Sequence, residues 1–287
     1  MWQADKWIDY ELLDSADGEK LERWGKYILR RPDPQAVWSE RHSKLWDSTD
    51  AVYYRSASGG GHWEYKTRLP QSWSINFQEL TFNIKPMNFK HTGLFPEQAA
   101  NWSWFSNLIK QSQRPIRVLN LFAYTGGATV AALNAGAEVV HVDAAKGMVS
   151  WAKENAMSSG LAGANVRWIV DDVVKFVQRE QRRGKQYDAV IMDPPSYGRG
   201  PSGEVWKIED ELYPLVCECA KVMSDNPLFF LINSYTTGFS ASVLTNVLSL
   251  TMGKRFVGHV QSDEVGIPMS AKGLVLPCGI SGRWWNE

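Results

Sequence analysis

The 287-residue sequence predicts an α/β protein, a doubly wound and mostly parallel sheet of seven strands preceded by a small antiparallel β module. Two observations predict it. From about residue 97 onward, short apolar runs alternate with helical stretches of about 10–15 residues, the pattern of βαβ units. Before residue 85 the chain consists of short alternating segments between turn residues, and it carries seven of the 14 tryptophans. The expected division is therefore a β-rich module over 1–84 and an α/β domain over 85–287.

The module reads as hairpins. Residues 10–34 are a strand, an Asp-Gly turn and a second strand ending at two prolines; residues 51–70 are a further hairpin around Gly59, Gly60 and Gly61. The tryptophans are expected to pack this module against the main domain. A helix over 97–110 opens the α/β part. Strands are expected at 116–121, 138–143, 165–170, 187–193 and 228–233, and two late ones around 256–262 and 273–280. The intervening helices are expected near 127–136, where Gly136 ends the helix, and at 145–160, 172–184, 208–223 and 240–251.

Composition narrows the function. Apolar residues make up 44% and charged residues 22%, enough for a real core. No run of about 18 uncharged apolar residues is present to span a membrane, and residues 1–9 lack a secretory signal. The three cysteines, Cys217, Cys219 and Cys278, form no disulfide framework and point to the cytoplasm. Neither they nor the five scattered histidines have metal-ligand spacing. Lys plus Arg equals Asp plus Glu, so any RNA contact must come from a local patch.

Ligands of such sheets bind beyond the carboxyl ends of the strands, which makes four places informative. In "VLNLFAYTGGATV", Gly126 and Gly127 precede a helix whose free N–H groups suit a ligand. The spacing is not Gly-x-Gly-x-x-Gly, which disfavours a dinucleotide; a simple strand–helix turn is the alternative. Asp143, at the tip of the second strand, either accepts two ribose hydroxyls or caps the next helix. Asp172 either accepts from an adenine amino group or caps a helix, as Asp171 also could. Asp193-Pro194-Pro195 is a rigid extended turn that fixes a carboxylate and a carbonyl, with Tyr197 beside it as a stacking surface. The Gly-rich "GRGPSGEVW" after it reads as a lid, with Arg199 touching phosphate or solvent.

"NLFAYTGG", "VDAAKGMVSWAKEN", "DDV" and "VIMDPPSYGRG", in this order, resemble class I S-adenosylmethionine-dependent methyltransferases with a Rossmann-like sheet, those related to bacterial 23S rRNA cytosine-C5 and guanine-N7 methyltransferases. "FKHTGLFPEQAANW" is similar to the segment preceding their first motif. The resemblance covers roughly residues 85–260. It implies that Phe89, Lys90, Gly93, Leu94, Phe95 and Gln98 border S-adenosylmethionine. Asn120, Phe122, Tyr124, Thr125, Gly126 and Gly127 would wrap its methionine end. Asp143 would hold the ribose and Asp172 the adenine, with Asp193 and Pro194 facing the sulfonium and the acceptor.

The sequence departs from the cytosine-C5 relatives, which place a nucleophilic cysteine after the fifth strand. Here that place holds Asn233 and Ser234, and Asn233 matches the guanine-N7 relatives. The expectation is N-methylation of a base in RNA without a catalytic cysteine, using Asp193, Pro194, Tyr197 and Asn233. Methylation of a small molecule or protein is the alternative, and a non-catalytic binding module a third.

Overall fold

A computed structural model describes residues 1–56, 60–87, 89–199 and 205–286, with the main chain only of Arg199. The chain forms two compact units. The first is Trp2–Ala100 with Val265–Cys278; the second is Asn101–Glu264 with Met1 and the stretch from Gly279. The boundary expected at 84/85 falls inside the first unit.

The second unit carries the sheet that positions the site. Its strands are β1 (Arg117–Leu121), β2 (Glu138–Asp143), β3 (Val166–Val170), β4 (Ala189–Met192) and β5 (Phe229–Ser234). They are followed by β6 (His259–Pro268) and β7 (Val275–Trp285), whose ends reach into the first unit. The sheet has eight strands rather than the expected seven; Trp2–Gln3 pairs in parallel with the end of β6, and the order then runs β6-β7-β5-β4-β1-β2-β3. Pairing is parallel from β3 through β5 and antiparallel between β5 and β7. β4 is buried along its whole length, and so is β5. That is why both read as continuous apolar runs: a parallel strand covered on both faces has no solvent side.

The helices are α1 (Ala99–Gln111), α2 (Gly127–Asn134), α3 (Lys146–Ser158), α4 (Val173–Arg182), α5 (Ile208–Lys221) and α6 (Ala241–Arg255). One face of the sheet, including Leu119, Leu121, Val190 and Phe230, packs on Phe176 of α4, Leu215 of α5 and Leu248 of α6. On the other face Phe105 of α1 stacks on Phe229 at 5.7 Å, and Asn120 of β1 bonds to Thr129 of α2 at 2.9 Å. Helices on both faces make the sheet doubly wound. The late strands, of 10 and 11 residues, are longer than the sequence predicts.

In the first unit, five strands run in the order Tyr10–Ala16, Glu19–Trp24, Tyr27–Pro32, Ala51–Arg55, Gly61–Tyr65. The single strand expected after the Asp-Gly turn is two, because the chain reverses at Gly25, which takes φ 65°. Trp73–Phe77 and Leu80–Ile84 form a separate hairpin. The tryptophans are tied inside this unit. Trp46 Nε1 donates to Asp14 Oδ2 at 2.9 Å, Trp73 Nε1 to the Trp24 carbonyl at 3.0 Å and Trp63 Nε1 to the Met87 carbonyl at 2.8 Å. The hairpin expected around Gly59 has its turn partly outside the described residues.

Candidate functional site

Register places the informative residues in a row. Leu121 of β1 pairs with Val142 of β2 and with Met192 of β4, and Met192 pairs with Ile232 of β5. Asp143, Phe122, Asp193 and Asn233 each stand one residue further, at one level along the carboxyl edge of four adjacent strands. β1 lies between β2 and β4, where the strand order reverses. In open α/β sheets that crevice takes the ligand.

The loop after β1 is strained and held on purpose. Phe122 and Tyr124 adopt φ 53° and 51°, a region costing a non-glycine residue about 1–2 kcal/mol. Ala123 N donates to the Val142 carbonyl at 3.1 Å and Tyr124 N to Asp143 Oδ2 at 2.8 Å. The buried Asn155 of α3 donates from Nδ2 to the Thr125 carbonyl at 2.8 Å. The Phe122 ring lies 5.3 Å from Trp206. Asn155 and Trp206 carry no signal in the sequence, since each acts on a loop far away along the chain.

Both glycines stand close against neighbouring protein. Gly126 takes φ 81° and caps α2, and a Cβ there would lie 2.8 Å from Ala152 Cβ. A Cβ on Gly127 would lie 2.6 Å from Trp102 Cζ2. Both are needed so that α2 can sit against α3 and α1 with its first-turn N–H groups, which have no intrahelical partners, at the loop. Gly126→Ala adds backbone strain and overpacking, together about 2–4 kcal/mol. A thermal melt should show a fall of roughly 5–10 °C; an unchanged melting temperature would show that the loop relaxes freely.

Asp143 accepts the Tyr124 N–H on Oδ2 and the Ala145 N–H on Oδ1, each at 2.8 Å. The cap of α3 is Ala145, so the helix-cap alternative does not describe Asp143. A carboxylate has about four lone-pair directions; two remain here for a vicinal diol. Burial raises its pKa, opposed by the two main-chain bonds. Asp172 is the N-cap of α4, accepting from Lys175 N at 2.9 Å, which leaves its second oxygen for an amino group. Asp171 is paired with Arg179. Arg183 is paired with Glu180 at 3.2 Å, so these two cations of the α4 end are engaged locally.

Beneath the loop, Asn120 is 2% exposed and donates to Thr129 Oγ1, which lies 2.9 Å from His141 Nδ1. Asn120 thus supports the loop from inside the sheet–helix interface. Burial, and then Lys153, push the His141 imidazole down to about 3. The folded state therefore resists a proton that the unfolded chain accepts near 6.5. Stability is fully present above about pH 6.5 and falls as pH drops toward 3, by roughly 2–3 kcal/mol at pH 4.5. Urea midpoints at pH 7 and 4.5 should differ less in His141→Asn than in the parent; equal differences would mean that His141 titrates normally.

At the end of β4, Pro194 is buried, and the Pro195 carbonyl accepts Trp206 Nε1 at 2.6 Å. Ser196 Oγ and Thr236 Oγ1 lie 2.6 Å apart, tying the turn to the segment after β5. Tyr197 is half exposed and starts a short hairpin with Val205–Lys207. The Gly-rich lid expected beyond it falls largely on residues 200–204, outside the described residues, as does the Arg199 side chain. Asn233 is buried, and its Oδ1 accepts from Ser281 Oγ at 2.6 Å and Asn101 Nδ2 at 3.1 Å.

The remaining expected residues belong to the first unit. Phe89 is exposed, and the Lys90 carbonyl accepts Arg31 Nη1 at 2.8 Å. Burial, and then Lys20, lower the Lys90 ammonium pKa. Gly93 takes φ 95°, Leu94 and Gln98 are buried, and the Phe95 ring lies 5.2 Å from His91.

Residues 44–208 match the model of the S-adenosylmethionine-dependent methyltransferase family. The chain belongs to this family. A crystal structure of the S-adenosylmethionine-dependent methyltransferase from Agrobacterium tumefaciens is 38% identical, with a TM-score of 0.92 over 98% of this chain and 91% of the other chain. Ribosomal RNA large subunit methyltransferase K/L of Shewanella baltica is 25% identical over 286 residues, covering 94% of this chain and 36% of the relative. Ribosomal RNA large subunit methyltransferase I of Aeromonas salmonicida is 35% identical over 111 residues, 38% of this chain and 27% of the relative. The chain thus spans about a third of the length of these curated relatives, or less.

The donor set fits the family's cofactor. Asp143 has open lone pairs at the β2 tip, Asp172 has a second oxygen, and the α2 N-terminus faces the strained loop. Among the described residues no group of three or more His, Cys, Asp and Glu could hold a metal, and no helix is long and apolar enough to cross a membrane.

Proposed function

We propose that the protein methylates a nitrogen of a base in RNA, of ribosomal type, in the cytoplasm, and does so without a cysteine nucleophile. The supporting observation is the row of Asp143, Phe122, Asp193 and Asn233 at one level of the sheet edge. It sets a ribose-binding carboxylate, a shaped loop and two acceptor-facing side chains side by side. Relatives named as ribosomal RNA methyltransferases favour RNA as the substrate.

S-adenosylmethionine, held by Asp143 and Asp172, would supply an activated methyl: the base nitrogen would gain an N–CH₃ bond as the S–CH₃ bond broke, with S-adenosylhomocysteine as the leaving product. The protein's work is alignment of a lone pair and exclusion of water. Asp143 and Asp172 anchor the nucleoside, and Asn120, Asn155 and Thr129 keep the loop shaped around it. Asp193 and the Pro194 carbonyl accept from the N–H groups of the base, exposing the nitrogen lone pair. Tyr197 offers a stacking face.

The experiment is transfer of tritiated methyl from S-adenosylmethionine into total cellular RNA and total protein. Label in RNA, removed with the base on nucleoside digestion, is the expected result. Label confined to protein or to small molecules overturns the RNA assignment.

A further inference from the structure

The penultimate residue of β5 carries a polarity that the rest of the protein sets. Asn233 is 3% exposed. Its Oδ1 accepts from Ser281 Oγ and Asn101 Nδ2. Asn101 Nδ2 also donates to Ser281 Oγ at 2.9 Å, and Asn101 Oδ1 accepts Arg283 Nε at 3.0 Å and Arg283 Nη2 at 2.6 Å. Arg283 is itself buried, with its guanidinium 4.6 Å from the Trp104 ring. No hydrogen bond to another described residue ends on Asn233 Nδ2.

An asparagine side chain can be turned over, exchanging its donor and acceptor ends. Here it cannot. A guanidinium has five donors and no acceptor. Burial lowers the Arg283 pKa to about 9, which keeps it charged at neutral pH. The end of Asn101 that meets Arg283 must therefore be its oxygen, and the other end its N–H₂. The atom of Asn233 that meets this N–H₂ must in turn be an oxygen. Turning Asn233 over would set its N–H₂ against that of Asn101 in a dry interior and take from Asn101 Nδ2 one of its two acceptors.

We propose that Asn233 is a pinned hydrogen-bond donor that selects the acceptor substrate, with Arg283 and Asn101 as the positioning residues that pin it. The inference rests on the proposed transfer site, because Asn233 stands at the level of Asp193 on the adjacent strand. The donor requires a substrate edge that carries a hydrogen-bond acceptor beside the methylated atom, a ring carbonyl oxygen or an unprotonated ring nitrogen. The carboxylate of Asp193 takes the N–H side of the same edge.

Two variants of Arg283 separate this role from simple packing. Arg283→Lys keeps a donor-only cation over Trp104; Arg283→Met has a similar reach and no donor. In protein labelled with ¹⁵N-asparagine, the side-chain protons of Asn101 should exchange with water at least 10-fold more slowly than those of Asn233. The contrast should persist in Arg283→Lys and collapse in Arg283→Met. With unmodified ribosomal RNA made by transcription as the probe, Arg283→Lys should keep kcat within about threefold of the parent. Arg283→Met should lose at least 30-fold, with S-adenosylhomocysteine affinity unchanged in both. Equal kcat for the two variants, or faster exchange at Asn101 than at Asn233, overturns the inference. If the parent transfers no methyl to this RNA while the exchange contrast holds, the RNA substrate falls and the pinned donor stands.

Discussion

Asp143→Ala should lower the affinity for S-adenosylhomocysteine by at least about 100-fold in isothermal calorimetry. Each hydrogen bond from a ribose hydroxyl to a charged acceptor contributes about 1.5–3 kcal/mol, and two are lost together. The loop suffers as well. Tyr124, held at φ 51°, donates its N–H to Asp143 Oδ2, and the variant leaves that part-buried donor without its acceptor. Asp143→Asn should fare little better despite its identical shape. Its amide end must face either the Tyr124 N–H or the Ala145 N–H, a donor against a donor. Unchanged affinity in both variants would remove the ribose role from Asp143 and, with it, the orientation of the whole site.

For Asp193→Ala the opposite split is expected: a loss of 10²–10³-fold in kcat, roughly the cost of removing one preorganised polar group from a transition state. Affinity for S-adenosylhomocysteine should change by less than about 10-fold, because Asp143, Asp172 and the loop remain. Asp193→Asn retains one acceptor oxygen and should lie between the two. The measurement is single-turnover transfer of tritiated methyl, beside calorimetry on the same preparations. Normal transfer by Asp193→Ala would show that the acceptor does not meet the β4 turn.

Much of the site could be found from residues alone. β4 is covered on both faces and is a continuous apolar run, so the carboxylate of Asp193 that ends it is conspicuous. Asp143 is the last residue of β2, and Asp172 stands between β3 and α4, where strand and helix patterns meet. The turn at Gly25 is not legible because a lone glycine between Trp24 and Lys26, with no Pro, Asn or Asp beside it, is all that marks it. For Asp172 the structure adds the helix cap, Lys175 N donating to one carboxylate oxygen, and leaves the other oxygen for an amino group.

Other features lay beyond any local pattern. Gly126 and Gly127 are demanded by Ala152 and Trp102, which α3 and α1 bring against them. The direction of the Asn233 amide depends on Asn101, 132 residues before it, and on Ser281, 48 residues after it. Strand and helix periods, turns and caps express forces acting over a few neighbouring residues, and they are written in order along the chain. Which way a buried amide points, and where a methyl group cannot fit, depend on distant segments meeting where water is excluded. Only there does an unmatched donor or a misplaced atom cost enough to leave a single arrangement.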